Sequence, residues 1–355
     1  MWKRDSITIR DVAKRAGVHV STVSRALNPG TRQLISDEVA ARIEEAARDL
    51  GYSRNALASG LRTKRSALIG VAIPDITNPV FPPILRGIED TLGGAGYTPI
   101  IANTDNDPER QRLVVSRMRG RHVDGFILAS VARENDPAVT ECLANDLPVV
   151  LINRAVDDAA VPSVVTDDAR GIRLAVEHLA GLGHRRIAHV AGPQSLSTGF
   201  VRYRAFRESI QALDLPTDRD HLAVAIAARF NEAEGMRACE DLLASARGSE
   251  LPPFTAIVAA NDLLALGCYD AFARRGICCP RDVSLTGFND MPFVDKMNPP
   301  LTTVRIPHYE MGVQAAQLLL RQIEKPGSAR MSITLAPELV IRGSTAKPPS
   351  AAGVG

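Results

Sequence analysis

Between His19 and Leu27 a helical pattern turns Val23 and Leu27 inward and leaves Val20, Ser21, Thr22, Ser24 and Arg25 outside. Short polar groups beside one long guanidinium fork suit base-edge recognition. Arginine pairs with guanine O6 and N7, and a helix faced with small side chains can enter the major groove. A second set of polar and aromatic residues is strung along the rest of the chain, each just past a short apolar run. It comprises Asp75, Asn78 and Phe81; Arg154; Thr198, Phe200 and Arg202; Phe230; Asn261 and Asp262; and Asn289 with Asp290. Carboxylates and amides hold vicinal hydroxyls or ring nitrogens, and aromatic faces stack on flat ligands. Taken singly, each also reads as a cap or loop residue, and Asp262 in particular as the cap of a helix over 263–274.

Catalytic chemistry finds no comparable support. The patterns GxSxG, GxxxxGK[ST] and HExxH are absent, and the seven histidines are scattered without metal-ligand spacing. Gly93-Gly94-Ala95-Gly96 ends a helical pattern instead of following a strand, so it reads as a helix stop. Neither an enzyme nor a cofactor is expected. The five cysteines (Cys142, Cys239, Cys268, Cys278 and Cys279) are odd in number and form no CxxC pair. That argues against a disulfide framework or a zinc site and fits a reducing cytoplasm. No window approaches the ~18 uninterrupted apolar residues of a membrane span. The polar start Met1–Ser6 has no apolar run behind it, so a secretory signal is not expected.

The net charge of +2 hides an asymmetry. Residues 1–66 hold 13 Lys and Arg against 7 Asp and Glu, a balance of +6, and the remainder carries −4. A basic head on a mildly acidic body invites a polyanion at one end. Three helices are expected in that head. The first starts at Thr8, with Asp11 three residues on as a weak capping box, packs Val12, Ala13 and Ala16, and stops at Gly17. The second is the polar-faced helix above. The third runs from Ser36 to Leu50 with Val39, Ile43, Ala46, Ala47 and Leu50 inward, and Gly51 stops it. Helix, tight glycine turn, helix is a helix-turn-helix layout.

From Ala67 the pattern changes to short apolar runs (67–73, 98–102, 125–129) alternating with helical stretches (83–94, 108–118), and the alternation repeats from Ile187 to Leu335. This predicts doubly wound parallel sheets in two subdomains, about 67–166 and 167–297. The polar set then lies past the carboxyl ends of strands, where such sheets bind ligands.

The stretches DVAKRAGVHVSTVSRAL and LGYSRNALASGLRTKRSALIGVAIPDITNPVF resemble the LacI/GalR bacterial transcription regulators. The resemblance continues through GHRRIAHVAGP, AIVAANDLLALG, VSLTGFND and PPLTTVRIP, covering about residues 7–344. It implies a multidomain chain: an all-α helix-turn-helix DNA-binding head (1–52), a hinge (53–66), and an α/β two-lobed periplasmic-binding-protein-like body of type I (67–345). In that body Leu301–Lys325 would rejoin the first lobe and Ile333–Gly343 the second. The tail from Gly343, rich in Ala, Pro, Gly and Ser without heptad leucines, reads as disordered, and tetramers are not expected.

The resemblance also implies roles. Val20 and Ser21 would read bases, with Arg25 making a third base contact, and Thr8, His19, Thr22 and Ser24 would serve the phosphate backbone. Asn55, Leu57 and Leu61 belong to a hinge helix that orders when two copies pair on DNA, with Leu61 as a minor-groove wedge. Several positions depart from the family's pattern. His19 replaces Ser or Thr, Arg54 replaces proline, and Gly60 weakens the hinge helix by roughly 1 kcal/mol. Asn289 stands where Asp is usual, and Leu196 and Phe200 stand where some members place arginine, which predicts a less basic cleft. The single tryptophan is Trp2, so stacking in the body falls to Phe81, Phe200, Phe230 or Phe288. The implied partners are double-stranded operator DNA, a small effector of sugar or nucleoside type, and a second copy of the chain, with no membrane. A solute-binding protein would share the body but would need a signal peptide and no basic head.

Overall fold

The computed structural model describes residues 7–28, 31–52, 65–157, 161–216, 223–244, 254–327 and 329–349. It divides into two units, Met1–Ser66 and Ala67–Gly355. The first contains α1 (Ile9–Ala16), α2 (Val20–Ala26) and α3 (Asp37–Asp49). Thr8 starts α1 as expected: its N–H and its hydroxyl donate to the Asp11 carboxylate at 2.8 and 2.7 Å. Gly17 turns the chain at φ 66°, a left-handed conformation that glycine adopts without a Cβ penalty. Val12, Ala13, Ala16, Val23, Ala26, Ala40, Ile43, Ala46 and Ala47 form the small core between the helices.

The second unit has two lobes, each built on a six-stranded sheet. The first lobe holds β1 (Leu68–Ile73), β2 (Thr98–Asn103), β3 (Gly125–Leu128), β4 (Val149–Ile152), β5 (Ser163–Thr166) and β11 (Ser332–Leu335), in the order β11-β5-β4-β3-β1-β2. The second holds β6 (Ile187–Ala191), β7 (Val224–Ile226), β8 (Ala256–Ala259), β9 (Ser284–Asn289), β10 (Thr302–Arg305) and β12 (Glu338–Val340), in the order β12-β10-β9-β8-β6-β7. All neighbours are parallel except β12, which runs antiparallel to β10. The central strands of the first sheet are apolar throughout because helices cover both faces.

The order of crossings differs from the expected one. The segment 301–325 does not rejoin the first lobe as a whole, because β10 pairs with β9 in the second sheet, Thr302 opposite Thr286. Only the helix His308–Glu324 returns to the first lobe, where it packs on the helix Phe81–Gly94. Glycines permit that approach: a Cβ at Gly87 would lie 2.2 Å from the Tyr309 carbonyl oxygen, and one at Gly312 would lie 2.1 Å from that of Ile84. Likewise β11 closes the edge of the first sheet, Ser332 opposite Ser163, and only β12 belongs to the second. Short strands such as these carry no pattern that names their sheet; register with β9 and β5 decides it.

The expected disorder from Gly343 is also corrected up to residue 349. The Ser344 hydroxyl accepts from Thr302 N–H and donates to the Leu285 carbonyl, each at 2.7 Å. His184 is fully buried, with Nδ1 2.8 Å from the Thr255 hydroxyl and Nε2 2.8 Å from the Ala346 carbonyl. The Gly183-His184 turn therefore anchors the C-terminal segment. Among the described residues no helix is long and apolar enough to cross a membrane.

Candidate functional site

The head presents one polar face. His19 is the N-cap of α2, and its Nδ1 accepts from Ser21 N–H at 3.3 Å and sits 2.8 Å from the Ser21 hydroxyl. An imidazole thus replaces the usual Ser or Thr oxygen as the cap, and it holds Ser21 in place. Ser21 and Arg25 are exposed, Thr22 and Ser24 are partly exposed, and Val20 is half-buried against the head's core. The Thr31 hydroxyl donates to the Arg25 carbonyl at 3.1 Å, tying off the C-terminal end of the helix. Asn55, Leu57 and Leu61 lie outside the described residues.

In the body, a cavity of about 530 Å³ opens between the lobes. Its walls are the loops past the carboxyl ends of β1, β2, β4, β7, β8 and β9, together with the start of the helix Ser197–Ala212. Nine of the expected ligand residues line it: Asp75, Asn78, Phe81, Arg154, Thr198, Arg202, Phe230, Asn261 and Asn289. Arg202 is buried, with its guanidinium carbon 3.7 Å from the centroid of the Phe288 ring. Its Nε and Nη2 donate to Asp168 at 3.0 and 2.8 Å, and Nη1 donates to the Ala260 carbonyl at 2.8 Å. Burial still raises the Asp168 pKa, outweighing the arginine beside it. Phe230 lies across Gly192, where a Cβ would come within 2.2 Å of the ring.

Three expected residues are placed elsewhere. Asp290 does not line the cavity; its carboxylate accepts from Arg305 at 2.7 Å and from Arg342 at 2.6 Å. Phe200 does not line the cavity; it belongs to a contact between the lobes, with the Arg133 guanidinium 3.9 Å from its ring centroid. Asp262 is fully buried behind the wall, accepting from the Thr303 hydroxyl at 2.5 Å and from Met291 N–H at 2.8 Å. The cap of that helix is Asn261, whose Oδ1 accepts from Leu264 N–H at 2.9 Å. Burial lifts the Asp262 pKa to about 7.

Sequence reasoning missed Asp105, Asn106, Asn153, Arg229 and Phe293, all of which line the cavity. Four of these have positive φ: Asp105 55°, Asn106 57°, Asn153 64° and Phe293 75°. Asp and Asn tolerate this conformation, so the pairs past β2 and β4 held a usable signal. Phe293 did not, because positive φ is unusual for a bulky side chain and nothing in the local sequence marks a phenylalanine for it.

Residues 8–55 match the model of the bacterial regulatory proteins, lacI family, and residues 176–345 match a periplasmic binding protein-like domain. The ribose operon repressor of Halalkalibacterium halodurans is 33% identical over 338 residues, covering 95% of this chain and 97% of its own. The lac repressor dimer, solved bound to operator and the anti-inducer ONPF, is 25% identical with a TM-score of 0.83, covering 96% of this chain and all of that one. A LacI family regulator from Enterococcus faecium with bound ribose is 31% identical with a TM-score of 0.68, covering 79% of this chain and 99% of its own. With the helix-turn-helix face and the interlobe cavity in one polypeptide, the chain belongs to the lacI family of bacterial regulatory proteins.

Proposed function

We propose that this transcriptional regulator holds a small polar effector between its lobes and uses it to set the affinity of its head for a two-fold operator. The observation that carries this reading is the cavity of about 530 Å³, walled by both lobes and lined by polar side chains. A ligand touching both walls prefers one arrangement of the lobes, and that preference is the free energy available to bias DNA binding. The relatives point to a repressor acting as a dimer, with a sugar-type effector.

At the DNA end, Val20, Ser21 and Arg25 would contact base edges, while Thr8, His19, Thr22 and Ser24 would fix register on phosphates. Asn55, Leu57 and Leu61 would form paired hinge helices, with Leu61 entering the central minor-groove step. The protein would act in the cytoplasm on nucleoid DNA. The test is selection of binding sites from random duplexes by the full chain, then titration of the selected site with and without sugars. A two-fold site whose affinity changes on adding a cleft ligand supports the reading. Asymmetric or sequence-independent binding that no ligand alters rejects it.

A further inference from the structure

The second-lobe wall of the cavity ends in a strained turn. Asn289 is the last residue of β9, lines the cavity and is 7% exposed. Its φ is 112°, beyond the left-handed pocket near +50–70° that asparagine tolerates, and Asp290 follows at φ 54°. Such a turn persists only where its surroundings impose it. The side-chain amide of Asn289 makes no hydrogen bond to any described residue, so the restraint comes from elsewhere.

It acts on Asp290. One carboxylate oxygen accepts from Arg305 Nε at 2.7 Å and the other from Arg342 Nη2 at 2.6 Å, and the side chain is 8% exposed. Neither arginine is free to follow the turn. Arg342 Nη1 donates to the Leu301 carbonyl at 2.8 Å, and Arg342 N–H donates to the Thr302 hydroxyl at 2.9 Å. Arg305 stands opposite Asn289 on one side and opposite Glu338 on the other, and its Nη1 donates to Glu338 at 2.7 Å. Beyond the turn, Met291 N–H donates to Asp262 at 2.8 Å. Charge-assisted bonds from two arginines grip a carboxylate more firmly than neutral donors do. The grip also lies where the chain passes between lobes. Arg305 precedes the crossing into the helix His308–Glu324, and Glu338 follows the crossing from β11.

Building on the effector reading above, we propose that Asp290 is a positioning residue for the ligand: gripped by Arg305 and Arg342, it forces the backbone of Asn289 into the strained turn and so presents the Asn289 amide to the cleft. Asp290 itself does not touch the ligand. An amide held in place beforehand spares the ligand the cost of ordering it. Because Arg305 and Glu338 flank two of the crossings, the same grip ties the ligand contact to segments that turn when the lobes rearrange.

The experiment uses the full chain. Crystal structures of wild type and Asp290→Ala read the turn directly: in the variant Asn289 is expected to leave positive φ and its amide to swing out of the cleft. Arg305→Ala, a change at an exposed position, removes one half of the grip and is expected to loosen Asn289 as well, so the test holds even if Asp290→Ala fails to fold. Calorimetry with D-ribose, cellobiose and adenosine then gives affinities. For a probe that binds, Asn289→Ala and Asp290→Ala are each expected to weaken it about tenfold or more, and the double variant no further than Asn289→Ala alone, since Asp290 acts through Asn289. A general loosening of the lobe would instead add to the loss. The proposal is overturned if Asn289 keeps its φ and orientation in Asp290→Ala, if Asp290→Ala binds the probe as wild type does, or if the two losses multiply. An Asn289 that swings away in Asp290→Ala while no probe binds any form supports the positioning role and counts against a sugar- or nucleoside-type effector. A probe that binds and changes operator affinity with Asn289 unmoved in Asp290→Ala does the opposite.

Discussion

Arg133 of the first lobe covers the ring of Phe200 in the second, its guanidinium carbon 3.9 Å from the ring centroid. Backbone bonds flank the pair: Arg133 N–H donates to the Ser195 carbonyl at 2.8 Å, and Ala155 N–H donates to the Ser197 hydroxyl at 3.0 Å. Together they form a latch at one end of the cleft. Arg133 also pairs with Asp157 at 3.2 Å and with Glu134, which hold its side chain over the ring. A cation–π contact of this kind contributes about 0.5–2 kcal/mol, enough to bias lobes whose two arrangements are close in energy. Arg133→Ala should therefore speed hydrogen exchange at the Ala155 amide in the unliganded chain. Unchanged exchange there would show that the latch does not hold the lobes.

Asp262 makes stability depend on pH in an unusual direction. Its carboxyl is held at about 7 in the fold, against about 3.9 in an unfolded chain. The folded state keeps this proton more tightly, so the group's contribution is fully present below pH ~4 and is lost as pH rises toward 7. The loss amounts to about 4 kcal/mol at most. Asp262→Asn keeps an acceptor for Met291 N–H and removes the titration. Urea unfolding at a series of pH values should show wild type losing stability relative to Asp262→Asn between pH 4 and 7. Parallel curves would mean that the carboxylate stays ionised.

These two cases mark where the sequence was legible. The head could be read because its signals are local: Thr8 and Asp11 are three residues apart, and Gly17 must adopt positive φ whatever lies around it. The strand starting at Leu68 and the loop residues Asp75 and Asn78 after it were legible for the same reason. Phe200 and Asp262 looked equally suitable as ligand residues, but long-range partners decided their fate. Arg133 takes the face of Phe200, while Thr303 and Met291 take the carboxylate of Asp262. Arg229 and Phe293 reach the cavity through the packing of the second lobe, which no local spacing encodes. Strands β10 and β11 were misassigned because their lobe is fixed by pairing with β9 and β5.

The His19 cap predicts a graded series. Removing the acceptor in His19→Ala should cost the start of α2 about 0.5–2 kcal/mol, as loss of an N-cap does. His19→Ser should restore it, since a hydroxyl reaches the same amide. Faster hydrogen exchange at the Ser21 amide in the alanine variant alone would confirm that the imidazole acts as the cap. Equal exchange in all three would assign that role to the backbone.

Arg25 offers the sharpest test of the head. It is exposed near the end of α2, and among the described residues it forms no ion pair, so its fork is available to a partner. A bidentate contact to a guanine edge contributes about 1–3 kcal/mol of discrimination. Arg25→Ala should lose that much on the preferred operator and much less on duplexes mutated at the pair it reads. The preference at one position in each half-site would then flatten while the others persist. Thr22→Val, at a position proposed to meet only a phosphate, should weaken all duplexes alike. The two variants therefore separate reading from positioning: a uniform loss in Arg25→Ala would assign Arg25 to a phosphate, and an unchanged specificity profile with unchanged affinity would remove it from the interface.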